Sequence, residues 1–171
     1  MRYTEAEWLG LYVNAIANAP LFVGVALVFS FALSVNGETT NAILFLGSNI
    51  VLMLIVGALK ITTHVGRPKN RLIDAPLQAF PSGHAAASMF LTFTIPYFTF
   101  PKSISIALTL LVIGIIATFL VAMSRLVLNV HTRLQVMAGL LLGVLVPAIM
   151  VLYHDELTQM LHFSQKAFLG Y

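Results

Sequence analysis

Between Lys60 and His84 the chain reads KITTHVGRPKNRLIDAPLQAFPSGH, which places Lys60, Arg67, Lys69, Arg71 and Asp74 between two long apolar runs. Charged residues make up only 9% of the chain, so this stretch is strongly enriched. A second polar group, Ser124-Arg125 followed by His131, lies at a later apolar boundary. Arginine offers a planar fork of donors to phosphate oxygens, and lysine a compact point charge. In Pro81-Ser82-Gly83-His84, the serine suits an N-cap and the glycine lets a ligand approach backbone N–H groups. The helix macrodipole is positive at that end. Two histidines, His84 and His131, accompany these groups. Together these residue types suit the holding of a phosphate monoester or diphosphate and the transfer of its phosphoryl group. Each also has a plainer reading: cations anchoring a span at the headgroups, an ordinary capped helix, an interfacial histidine. The combination outweighs them, because cations at membrane depth are costly without an anionic partner. Asp74 is the one carboxylate in these links.

The elements that must position these residues are membrane helices. The 171 residues are 59% hydrophobic, with a mean hydropathy of +0.94. A soluble domain of this length needs far more surface charge. The fold class is all-α, a polytopic membrane helix bundle forming a single domain over residues 1–171. There is no cysteine, which excludes disulfides and thiolate metal sites. Carboxylates do not cluster, so neither a metal nor another cofactor is expected. The net charge of +3 is dispersed rather than run together, so nucleic acid is not an expected partner. Ala17-Asn18-Ala19 imitates a signal-peptide cleavage site, but Glu5 and Glu7 spoil the basic region before it. The segment is read as retained.

Residues 4–19 read as an amphipathic helix lying in the interface, with Trp8 and Tyr12 at headgroup depth. Five transmembrane helices follow: 21–35, 42–59, 83–100, 104–123 and 131–153. Pro20 favours a change of direction, and Pro96 a kink. Residues 154–171 read as a second interfacial helix. Counting alternations puts the 60–84 link, the 124–131 link and the N-terminus on one membrane face. If the helix continues past Lys60, then Lys60, His64 and Arg67 share one side over about 10 Å until Pro68 stops it. Gly139-x-x-x-Gly143 suits a homodimer contact or, more readily, close packing within the chain.

Lys60-x6-Arg67-Pro68, then Pro81-Ser82-Gly83-His84, then Ser124-Arg125-x5-His131, resembles the three-part signature of the type 2 phosphatidic acid phosphatase superfamily, which also includes the vanadium haloperoxidases. The signature core spans about residues 42–153, and the amphipathic start with five spans is similar to the short bacterial members. The resemblance implies metal-independent phosphatase chemistry through a phosphohistidine, with His131 as nucleophile and His84 as general acid and then base. It implies that Lys60, Arg67, Ser82, Gly83 and Arg125 hold the phosphoryl group. It further implies a bacterial inner-membrane protein whose site faces the periplasm, although the positive-inside rule, taken literally, favours the cytoplasm.

One position departs from the family pattern. An aspartate that orients the nucleophile is expected four residues after His131, and the residue there is Gln135. Its carbonyl can accept from Nδ1–H but brings no charge, which predicts a less basic imidazole and slower transfer. His64, Arg71 and Asn129 flank the motifs as candidate substrate contacts, with headgroup contact as the plainer role for Arg71, as for Lys69 and Arg133. The partners expected are the bilayer and a lipid phosphate substrate: polyprenyl diphosphate, phosphatidylglycerophosphate, phosphatidic acid or a lipid A phosphate, among which the small size and short loops favour an isoprenoid carrier phosphate. A haloperoxidase, an anion-binding or transport protein, and an inactive lipid binder are the rivals.

Overall fold

A computed structural model of the chain describes residues 3–75 and 78–169, with side chains through residue 164. Among the described residues seven helices follow in order: α1 (Glu5–Ile16), α2 (Ala19–Val35), α3 (Thr39–Thr63), α4 (Gly83–Thr99), α5 (Ile104–Val127), α6 (Arg133–Leu152) and α7 (His154–Leu169). Among the described residues α3, α5 and α6 are long and apolar enough to cross a membrane. The spans expected at 21–35 and 83–100 appear as α2 and α4, each 17 residues, or about 25 Å at 1.5 Å per residue. Arg2 lies outside the described residues, as does the side chain of Lys166.

Helix starts follow the sequence chemistry. Thr4 and Glu7 form a capping box at α1, and Asn18 Oδ1 accepts from Leu21 N at 3.0 Å at α2. Between them the chain bends by 46°, at the Pro20 boundary expected to redirect it. Helix α1 leans away from α2 and buries Gly10 against Leu128 and Val127 at the end of α5. Trp8 and Tyr12 remain exposed on its outer side. Helix α7 begins at the far end, where His154 Nε2 lies 3.2 Å from Asn41 Oδ1. Its Leu157 and Leu161 pack against the core.

The core sits around α4. Phe45 and Phe90 are fully buried, and Phe45 meets Phe29, Phe90 and Phe98 at ring distances of 5.0, 5.9 and 6.2 Å. The small residues Ala85, Ala86, Ala87 and Ser88 are all buried and let α6 come close. A Cβ on Gly139 would fall on the carbonyl oxygen of Ser82, and one on Gly143 would lie 2.5 Å from the carbonyl oxygen of Ala86. The glycine pair is therefore occupied by α4, and the homodimer contact it could have made is replaced by packing within the chain.

That contact predicts that Gly139→Ala destabilises the detergent-solubilised protein by about 1–3 kcal/mol through overpacking. Gly24→Ala, where nothing lies within 4 Å, is expected to leave it unchanged. Thermal unfolding of the two variants checks this, and equal midpoints would mean that the helices have room to spare.

Candidate active site

Both polar links come to one end of the bundle, as the count of alternations requires. Lys60, Arg67, Gly83, His84, Arg125 and His131 all line a single cavity of about 540 Å³. A larger cavity of about 900 Å³, between α4, α5 and α6, opens at the opposite end near His154 and contains none of them.

The expected helix from Lys60 through Arg67 does not form. Helix α3 ends at Thr63, and His64 takes a left-handed conformation at φ 50°. His64 is exposed, with Nδ1 3.2 Å from the Thr62 carbonyl, so it leaves the face it was expected to share. Arg67 instead arrives on a non-helical link tied down at several points. Ala79 N donates to Val65 O at 2.8 Å, Leu72 N to Leu128 O at 3.0 Å, and Ser82 N to Gln135 O at 3.0 Å.

These ties aim the cations. Lys60 Nζ donates to the Gln78 carbonyl at 2.7 Å. Arg67 Nη1 donates to the Val130 carbonyl at 2.8 Å and lies 3.2 Å from His131 Nε2. Burial pushes the Arg67 guanidinium below its ordinary value, and Arg71 adds to the shift. Helix α5 runs on through Val127, so Ser124 and Arg125 belong to its last turns rather than to a link. Arg125 is 3% exposed, with Nε and Nη2 held by Ser124 Oγ at 3.1 and 3.0 Å. Ser82 is the N-cap residue of α4 but makes no side-chain cap bond. Its buried hydroxyl has no partner among the described residues. A Cβ on Gly83 would meet only Val56, at 3.6 Å. Packing alone therefore does not require glycine there, and the open side faces the cavity. The ring of His84 stands edge-on to Phe22 at 5.9 Å.

His131 precedes α6 instead of opening it. Its backbone N–H donates to the Arg125 carbonyl at 3.3 Å, and Asn129 supports the turn with a left-handed φ of 52°. The Asn129 side chain is exposed and is not among the cavity-lining residues, so its contribution is to shape the turn. Because arginine can only donate, the Arg67 contact makes Nε2 an acceptor and leaves the proton on Nδ1. Burial pushes the imidazole from its ordinary 6.5 down to about 3, and Arg67 and Lys60 push the same way. The Ala79 backbone and the Gln135 side chain oppose the shift, though neither meets Nδ1 with hydrogen-bonding geometry. Nδ1 is buried without a partner among the described residues.

The expected hydrogen bond from Nδ1 to Gln135 is not formed among the described residues, although the Gln135 side chain still acts on the imidazole. Its Oε1 accepts from Thr132 N at 2.9 Å in a capping box at the start of α6, and its Nε2 donates to the Gly66 carbonyl at 3.4 Å. The physical reason is local: with Thr132 as N-cap, position 135 is N3, where a long amide turns back to the unsatisfied backbone. Arg71 is exposed and pairs with Asp74 at 3.8 Å. It does not line the cavity, whereas Asp74 does.

Other lining residues went unnoticed in the sequence. Phe22 and Val23 from α2, Ala87 from α4, and Asn49, Met53 and Val56 from α3 carry the cavity down from the polar end between these helices. The available signal was the spacing 49, 53, 56, 60, which is one helical stripe leading to Lys60.

A family model described as the PAP2 superfamily matches residues 41–159. No curated protein sequence matches the chain. Among solved structures the chain is similar to a transmembrane PAP2-type phosphatidylglycerolphosphate phosphatase from Bacillus subtilis, with a TM-score of 0.80 and 20% identity. The match covers 91% of this chain and 80% of that one.

With the proton on Nδ1 and no acceptor for it among the described residues, the His131 imidazole is a weak base, and protonation near pH 3 is too low to set an acid limb near neutrality. Gln135→Glu keeps an acceptor for Thr132 N–H and adds a carboxylate beside the ring. It is expected to raise the His131 pKa toward the ordinary range and to speed turnover several-fold. Histidine NMR titration of the ligand-free variant, alongside its turnover, checks both halves. An unmoved titration would show that the side chain at 135 stays with the helix cap.

Proposed function

We propose, from the premise that this chain belongs to the PAP2 superfamily, that it hydrolyses the phosphoester of a membrane lipid through a phosphohistidine. The observation that carries this reading is the gathering of two histidines and three cations around one cavity that continues between apolar helices. A phosphate at the polar end and an acyl or prenyl chain along α2 and α3 match the two halves of that cavity.

In the proposed sequence His131 Nε2 attacks phosphorus, and the bond from phosphorus to the lipid oxygen breaks. Protonated His84 gives its proton to that oxygen, and the lipid alcohol leaves. His84 then takes a proton from water, and the resulting hydroxide attacks phosphorus. The P–N bond breaks, returning its electron pair to Nε2 and releasing inorganic phosphate. Lys60, Arg67 and Arg125, with Ser82 Oγ and the Gly83 N–H, stabilise the charge that develops on the phosphoryl oxygens. These cations would supply the electrostatic role that a metal plays in other phosphatases.

Purified protein in detergent is expected to release phosphate from lipid phosphates with EDTA present, and His131→Ala is expected to reduce release to background. Binding of a lipid phosphate without release would favour a lipid binder instead.

We place the protein in a bacterial inner membrane with the site facing outward, on the likeness to short bacterial members; Lys69, Arg71 and Arg133, counted alone, favour the reverse. The chain has no cysteine, so Lys69→Cys gives a single reporter. An impermeant thiol reagent is expected to label it from outside intact cells, whereas labelling only after lysis would invert the topology.

A further inference from the structure

The stripe on α3 that lines the cavity contains one polar residue below the cations, Asn49. It lies near the middle of a 25-residue membrane helix and is half-buried. Among the described residues its carboxamide makes no hydrogen bond within the protein. An amide with no partner in hydrocarbon costs several kcal/mol, whereas one that faces a lipid-filled groove can be satisfied by the lipid itself.

The depth of Asn49 limits which lipid atoms can reach it. Gly83 faces Val56 and marks the level of the proposed phosphoryl site. Asn49 lies seven residues below Val56, about 10 Å along the helix. In a glycerolipid phosphate the acyl-ester carbonyl oxygens are six or seven bonds from phosphorus, about 7–8 Å in an extended chain. A hydrogen bond of ~2.9 Å from the carboxamide closes the remaining gap. An isoprenoid chain has no polar atom below its first oxygen and would leave the amide unsatisfied.

We infer that Asn49 is a specificity-determining residue, donating from Nδ2 to an acyl-ester carbonyl, and that it selects diacylglycerol phosphates over isoprenoid phosphates. This rests on the lipid-phosphatase reading and replaces the isoprenoid preference expected from the short loops.

Three lipids separate the possibilities: a diacyl phosphatidic acid, its dialkyl ether analogue lacking both carbonyls, and a polyprenyl phosphate. Wild type is expected to favour the diacyl over the dialkyl lipid in kcat/KM by about three- to tenfold, the range of one net hydrogen bond. Asn49→Leu is expected to lose that preference by slowing on the diacyl lipid while keeping its rate on the other two. The same comparison made by ligand-induced thermal stabilisation needs no turnover, so it reads the Asn49 contact even if no phosphate is released. Absence of release from all three lipids would sink the phosphatase reading. Equal preference for diacyl over dialkyl lipid in wild type and Asn49→Leu, or an equal loss on all three, would overturn the role of Asn49.

Discussion

The close approach of α6 to α4 is the constraint on which the rest of the site depends. Gly139 and Gly143 bring one helix backbone against the carbonyls of Ser82 and Ala86, a separation that no larger residue allows. The segment that carries His131 therefore lies beside the Ser82–His84 turn. The bond from Ser82 N to the Gln135 carbonyl, 3.0 Å long, fixes the same pair of helix ends in register. Without this approach the two histidines would belong to separate parts of the bundle. In lipid, where burying apolar surface gives helices little reason to associate, packing of small residues is an effective means of holding them.

Backbone carbonyls hold the cations on this frame. Lys60 is directed by Gln78, Arg67 by Val130, and the turn carrying His131 by the Arg125 carbonyl. Carbonyls orient a cation without neutralising it. Burial and the field of these cations depress the His131 imidazole. Under the proposed function this arrangement would trade imidazole basicity for phosphate affinity, and a dianionic phosphoryl group at the site would reverse part of that depression.

Much of the site was legible in order and type: three short motifs at apolar boundaries, and a parity argument that put them on one face. Other features were not legible because they depend on competition for backbone groups. Gln135 had two partners within reach, an imidazole and a helix N-terminus, and the capping box with Thr132 took it. His64 was one turn from Lys60 only if the helix continued, and it stops at Thr63. The Asn49 stripe was visible as a spacing, but a spacing does not show whether a helix face meets lipid, protein or a cavity.

By itself the sequence determined the class of the protein, the membrane helices and the identity of the groups gathered at one face. Those follow from hydropathy, residue chemistry and alternation, which are properties of the chain read locally. The tertiary structure decided which helices touch, which carbonyl each cation meets, and which side of α3 lines the cavity. Such outcomes depend on contacts between residues far apart in the chain, where a few tenths of an ångström at two glycines set the position of everything around them.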